Sequence, residues 1–139
     1  MENAYEGGCI CGDVRYRVRG KPAIAAVCHC TFCQRRLGSA FATVAYFEEP
    51  NVEILRGRLS EYEHRSDESG RWLRMQFCVR CGTTVMHSAE GRPGLKAIAL
   101  GTLDDPDAIR VERHVWVRSK RPWVAVPADV RTFPKGSIG

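Results

Sequence analysis

The sequence predicts a mainly β chain whose sheets curl around metal sites, and three observations carry that expectation. Short runs with the period-two alternation of half-buried strands recur along the chain, as in Val14-Arg15-Tyr16-Arg17-Val18-Arg19 and Trp72-Leu73-Arg74-Met75-Gln76-Phe77. Turn residues separate these runs at close intervals: Gly20-Lys21-Pro22, Glu48-Glu49-Pro50-Asn51, Gly91-Arg92-Pro93-Gly94 and Asp104-Asp105-Pro106-Asp107. Finally, the cysteines come in tight groups that sit at strand ends or glycine bends, and that density of thiols suits a soft metal ion.

Taken in order, Gly7-Gly8-Cys9-Ile10-Cys11-Gly12 opens the fold and leads into the strand at 14–19. The apolar run Ala23 to Val27 feeds directly into Cys28-His29-Cys30-Thr31-Phe32-Cys33. Gln34 to Leu37 suits one helical turn, which Gly38-Ser39 would stop. Phe41 to Phe47 reads as a second apolar strand. Val52 to Leu55 and Leu59 to His64 read as a hairpin around Gly57. The strand 72–77 runs into Cys78-Val79-Arg80-Cys81-Gly82, followed by strands at 83–88, 95–100 and 114–117. Pro122, Pro127 and Pro134 argue against a long C-terminal helix, so only one or two short helical turns are expected in all.

The 139 residues support one hydrophobic core and are too few for two ordinary domains, so 1–139 is expected to be a single domain. No apolar run approaches the roughly 18 residues of a membrane span. The longest, Phe41 to Phe47, already includes Thr43. The start of the chain lacks the basic-then-apolar order of a signal peptide, which makes the cytoplasm the default location. Thiols stay reduced there, so the seven cysteines read as metal ligands rather than disulfides. Seven thiolates and two divalent ions would reduce the formal charge of +5 to +2, so the basic balance argues little for nucleic acid.

Cysteines two apart on an extended chain point to one face, and cysteines three apart converge over a tight turn. Spacing leaves two groupings open. In one, Cys9, Cys11, Cys78 and Cys81 close a four-thiolate site, and Cys28, Cys30 and Cys33 form a three-thiolate site with a free position. In the other, Cys30 and Cys33 join Cys78 and Cys81 as a zinc-ribbon pattern. Keeping the triplet intact favours the first. His29 lies between two cysteines that share a face, so its side chain should turn away from them. His87 and His114 read as surface or hydrogen-bonded core residues, and His64 has no metal partner nearby in sequence. Trp72, Trp116 and Trp123 read as core or pocket wall. A thioredoxin-like role for either Cys-x2-Cys pair lacks the βαβ setting.

The ordered set Gly8-Cys9-Ile10-Cys11-Gly12, Cys28-His29-Cys30-Thr31-Phe32-Cys33-Gln34-Arg35-Arg36-Leu37-Gly38-Ser39, Phe77-Cys78-Val79-Arg80-Cys81-Gly82-Thr83 and His114-Val115-Trp116-Val117 resembles the glutathione-dependent formaldehyde-activating enzymes, also called the GFA or centromere-protein-V family. The resemblance implies the zinc-binding β-tent (Mss-four-like) fold and two zinc ions per chain. Cys9, Cys11, Cys78 and Cys81 would hold a structural ion, and Cys28, Cys30 and Cys33 a catalytic one. It also implies a carbon-sulfur lyase: a thiol such as glutathione adds to formaldehyde or another small aldehyde, and the reverse step cleaves the C–S bond. A centre with three thiolates suits a soft fourth ligand, such as a substrate thiolate. Arg35 and Arg36, immediately after the triplet, could offset its charge or clamp a substrate carboxylate, and Ser39 could donate to a sulfur. The rival expectation is a non-catalytic zinc module acting in protein or nucleic-acid interaction. A fourth protein ligand at the Cys28 site would favour it.

Overall fold

The computed structural model describes residues 3–136. It has the expected mainly β architecture of curled sheets, with one short helix and isolated 3-10 turns. A three-stranded sheet has the order β1-β2-β5, formed by β1 (Ala4–Gly8), β2 (Arg15–Arg19) and β5 (Val52–Arg56). The large sheet contains β3 (Ile24–Cys28), β4 (Ala42–Glu48), β6 (Leu59–Arg65), β7 (Trp72–Cys78), β8 (Thr84–Ala89), β9 (Leu95–Ala99), β10 (Arg113–Val115) and β11 (Arg131–Thr132). Its order is β11-β10-β3-β4-β9-β8-β7-β6. Pairing is antiparallel except that β10 runs parallel to both β3 and β11.

The expected hairpin at Gly57 does not form. β5 pairs with β2, whereas β6 pairs with β7 in the other sheet. Gly57 is the crossing point: its φ is 91°, and a Cβ there would lie 2.4 Å from the Asp13 carbonyl oxygen. Only glycine meets both demands, a left-handed backbone and close approach of another chain segment. Strands form at both expected places, 52–56 and 59–65, but the glycine that separates them redirects the chain instead of turning it back.

Two packed layers follow from side-chain alternation. One face of the large sheet buries Ala25, Ala45, Phe47, Met86 and Ile98 against Tyr16 and Val18 of the small sheet and Val14 just before it. The opposite face is set by a register row that crosses six strands: Tyr62, Met75, His87, Ala97, Tyr46 and Ile24. Residues paired in this way project to the same side. Ile24, Ala26, Val44, Tyr46 and Ala97 pack there with Cys33.

The helix α1 (Thr31–Leu37) spans seven residues rather than the expected single turn at 34–37. It begins inside the cysteine cluster because Cys30 is its N-cap, with the Cys33 amide donating to Cys30 Sγ at 3.2 Å. A thiol is outside the usual Ser, Thr, Asp and Asn capping set, which hid this start in the sequence. Gly38 closes the helix as expected, in the left-handed region at φ 60°. Phe32 of α1 stacks on His64 of β6, with ring centroids 4.6 Å apart. The helix thus bridges from the end of β3 to the far edge of the sheet, over the face that carries Tyr46 and His87.

The late strand is shorter than 114–117. It stops at Val115, where Trp116 turns into the left-handed region at φ 59° and a 3-10 turn, Val117–Ser119, follows. β1 and β11 were not expected. β1 is Gly-Gly-ended and β11 has two residues, so neither carries a strong strand pattern.

Candidate metal centres

Cys9 and Cys11 lie on the turn between β1 and β2, Cys78 ends β7, and Cys81 lies on the turn between β7 and β8. The four sulfurs lie within 4.8 Å of one another. Cys28 ends β3, Cys30 caps α1 and Cys33 is in its first turns; their three sulfurs also fall within 4.8 Å. These are the groupings of the first alternative, and the zinc-ribbon combination does not form. Both donor sets fit a soft ion: each consists only of thiols, and three backbone N–H groups donate to sulfur at the four-cysteine set and one at the triplet.

The surroundings of the two centres differ. At the four-cysteine centre the Val14 amide donates to Cys9 Sγ at 3.2 Å, and the Arg80 and Cys81 amides donate to Cys78 Sγ at 3.3 and 3.4 Å. The Thr83 hydroxyl lies 3.1 Å from Cys81 Sγ, and this contact, with the Thr83 amide, brings the Cys81 thiol down to about 5. Such bonds favour thiolate over thiol, as ligation requires.

At the three-cysteine centre the sulfurs compete. Contacts from Cys28 and Cys30, opposed by burial, hold Cys33 well below the ordinary thiol range, and Arg36 adds to the effect. Cys28 is pushed up by the neighbouring thiols of Cys30 and Cys33 and by burial. Three buried sulfurs cannot all ionise together without a compensating cation. The Arg36 Nη2 atom is 4.0 Å from Cys33 Sγ, a weak contact that leaves most of the charge to a metal ion.

No histidine or carboxylate joins this triplet among the described residues. His29 is turned away as its position implied. It is fully buried, its Nε2 lies 2.8 Å from Nδ1 of His114, and Phe41 packs on it edge-on. The other expectation for histidine also holds: His87 is buried, with its Nε2 3.0 Å from the Tyr46 hydroxyl.

The three substrate candidates separate. Arg36 faces the sulfurs, while Arg35 and Ser39 line a cleft on the other side of α1 with Thr31, Gln34, Arg121 and Trp123. Trp123 is a wall of that cleft and is strongly exposed.

Sequence reasoning missed Tyr46 and Arg92, and it did not pair His87 with Tyr46. Tyr46 and His87 are in strands that flank β9, and only their register brings them together across Ala97. Ala97 is fully buried, and its small side chain lets the Tyr46 hydroxyl reach past it. Burial first, and then the charges of Arg36 and Arg92, lower His87 to about 3; burial raises Tyr46 to about 12. Both are therefore neutral near pH 7. Arg92, in the turn between β8 and β9, lies over the Tyr46 ring at 4.5 Å.

The fold and its two thiol clusters define a mainly β protein whose cysteine groups could hold two metal ions. A sequence profile described as glutathione-dependent formaldehyde-activating enzyme matches residues 4–119, and the chain belongs to this family. It is also similar to the crystal structure of a Rhodobacter sphaeroides protein, a Northeast Structural Genomics target. The identity is 26%, the match covers 76% of this chain and 96% of that one, and the TM-score is 0.58.

Proposed function

We propose that the chain acts as one zinc-binding domain that catalyses addition of a thiol, glutathione or a similar one, to formaldehyde or another small aldehyde. The reverse direction is carbon-sulfur bond cleavage. In the forward direction a C–S bond forms between the thiol sulfur and the aldehyde carbon. The carbonyl π bond opens, and the thiol proton ends on the resulting hydroxyl. Family membership supports the reaction class. The observation that carries the assignment to a site is the convergence of Cys28, Cys30 and Cys33 without a fourth protein ligand among the described residues.

In this reading Cys9, Cys11, Cys78 and Cys81 hold a structural zinc, and Cys28, Cys30 and Cys33 a catalytic one. Zinc held by three thiolates supplies a soft Lewis-acid position that stabilises an anionic sulfur ligand. Arg36, beside Cys33, offsets the negative charge that a thiolate substrate adds. The neutral Tyr46–His87 pair and the apolar wall of Ile24, Val44 and Ala97 exclude water from one side of the centre. Arg35 and Ser39 serve the outer cleft, where the rest of a larger thiol would lie. Seven cysteines without a disulfide suit a reducing, cytoplasmic setting. Among the described residues no helix is long and apolar enough to cross a membrane.

Metal analysis with carbon-13 exchange spectroscopy of labelled formaldehyde and glutathione tests the proposal. The intact protein is expected to carry two zinc ions per chain and to speed hemithioacetal formation. Cys30→Ala should keep one ion and lose the acceleration. Loss of both ions on that single change, or a closed fourth protein ligand at the triplet, would overturn the assignment.

A further inference from the structure

The cleft beside α1 gathers positive charge and a bare aromatic ring, and no acidic side chain lines it. It measures about 630 Å³, within the roughly 300–1,000 Å³ of small-molecule sites, and its walls include Arg35, Arg121, Trp123, Thr31, Gln34 and Ser39. Several arginines elsewhere on the surface have an acidic partner: Arg15 with Asp104, Arg17 with Glu6, Arg74 with Glu63, Arg118 with Glu68. Among the described residues Arg35 and Arg121 form no ion pair. Trp123 is 76% exposed, so an indole stands in water at the wall of a cleft, where a planar ring can stack on it.

The two walls are held together by hydrogen bonds. Arg35 comes from α1, and Arg121 and Trp123 come from the segment after the 3-10 turn at Val117–Ser119. The Gln34 side-chain amide joins them, donating to the His29 carbonyl at 2.8 Å and to the Ser119 carbonyl at 3.0 Å. Arg121 donates to the same Ser119 carbonyl at 3.2 Å, which leaves most of its N–H donors uncommitted. Lys120 Nζ donates to the Arg121 and Val124 carbonyls at 3.2 and 2.8 Å, and the Val124 side chain is buried. Trp123 is thus exposed on a segment that is pinned on either side of it. A preformed pair of guanidinium groups without a counter-charge suits a dianion, and their planar forks match phosphate oxygens.

The geometry assigns to this cleft a ligand that carries a phosphate next to a planar ring, as a nucleoside monophosphate does. Arg35 and Arg121 take the phosphate, and Trp123 stacks on the ring. Thr31 and Ser39 offer hydroxyls to the polar part between them. The assignment goes beyond the thiol-addition reading, which gives this cleft only the remainder of a larger thiol, and it depends on neither metal centre.

Isothermal titration calorimetry of the full metal-loaded chain tests it with three probes: adenosine 5′-monophosphate, adenosine and inorganic phosphate. The nucleotide is expected to bind at least about tenfold more tightly than either fragment, because it engages the guanidinium groups and the indole together. Arg35→Met and Arg121→Met should each weaken the nucleotide by about tenfold and leave adenosine unchanged. Trp123→Ala should weaken the nucleotide and adenosine but not inorganic phosphate. All three side chains are exposed, and Arg121→Lys, which keeps the charge without the fork, should fall between the parent and the Met variant if that variant does not fold. Absence of nucleotide binding, equal affinity for the nucleotide and inorganic phosphate, or nucleotide binding unchanged by the arginine variants or by Trp123→Ala would each rule out the site.

Discussion

The two cysteine centres offer the same ligand chemistry on opposite faces of one sheet, in surroundings that differ. Cys9 and Cys78 belong to the core between the sheets, and the four sulfurs come from two turns separated by most of the chain's strands. Three backbone amides and Thr83 address two of those sulfurs and Cys81. The triplet is local instead: six residues supply it, one amide and one guanidinium address it, and the neighbours beyond are Tyr46, His87 and Ala97. A site closed by distant segments staples a fold, whereas a site assembled within one short segment can leave a position free without endangering the fold.

The largest expected effect lies in breaking that contrast directly. Cys78→Ala should abolish cooperative thermal unfolding, because structural zinc contributes on the order of 10 kcal/mol in small zinc modules, comparable to a domain's whole stability. Cys33→Ala should lose one ion and the reaction yet still unfold cooperatively. Circular dichroism melts with metal analysis compare the two, and equal loss of structure would erase the distinction.

Acid should act next most strongly on the face that carries the triplet. His87 has a pKa of about 3 in the folded chain against an ordinary 6.5, chiefly through burial. Below 6.5 the unfolded chain takes up a proton that the folded chain refuses until about pH 3. Stability therefore falls as pH drops through that window, by on the order of a few kcal/mol in total. Urea unfolding at pH 7 and pH 5 should show His87→Gln losing less stability on acidification than the parent. Identical slopes would mean that His87 is not held neutral.

Ala97→Leu sharpens the same comparison at smaller scale. Overpacking a fully buried site beneath the Tyr46–His87 contact should cost about 1–3 kcal/mol. It should also perturb the triplet cobalt spectrum more than that of the four-cysteine centre; the reverse pattern would misplace Ala97. Smallest of all is Arg80→Ala. Its 3.1 Å ion pair with Asp13 ties the two turns of the four-cysteine centre, but it is solvent-exposed, so the unfolding midpoint should stay unchanged within measurement error.

What the sequence by itself determined is the material that acts locally. Period-two alternation located β2 and β7, the apolar run Phe41 to Phe47 located β4, the turn residues Gly91 to Gly94 separated β8 from β9, and Gly38 marked the end of α1. The cysteine spacings, read with the family resemblance, anticipated the two groups of sulfurs that the fold brings together. These are legible because alternation, capping and ligand spacing are set by near neighbours in the chain.

The tertiary structure decided what depends on register and crossing. Gly57 carries the chain from one sheet to the other where local pattern suggested a hairpin, since contact with Asp13 and Val14 is invisible in the segment 52–64. Arg35 and Arg36 are adjacent in sequence, yet the helix sends one to an outer cleft and the other to the sulfurs. Tyr46 reads as one more apolar-strand residue and Arg92 as a turn residue until sheet pairing sets Ala97 between Tyr46 and His87 and folds Arg92 onto the ring. Side chains separated by dozens of residues meet only after strand order and register are chosen, and that choice is made by burial of the whole sheet rather than by any one stretch.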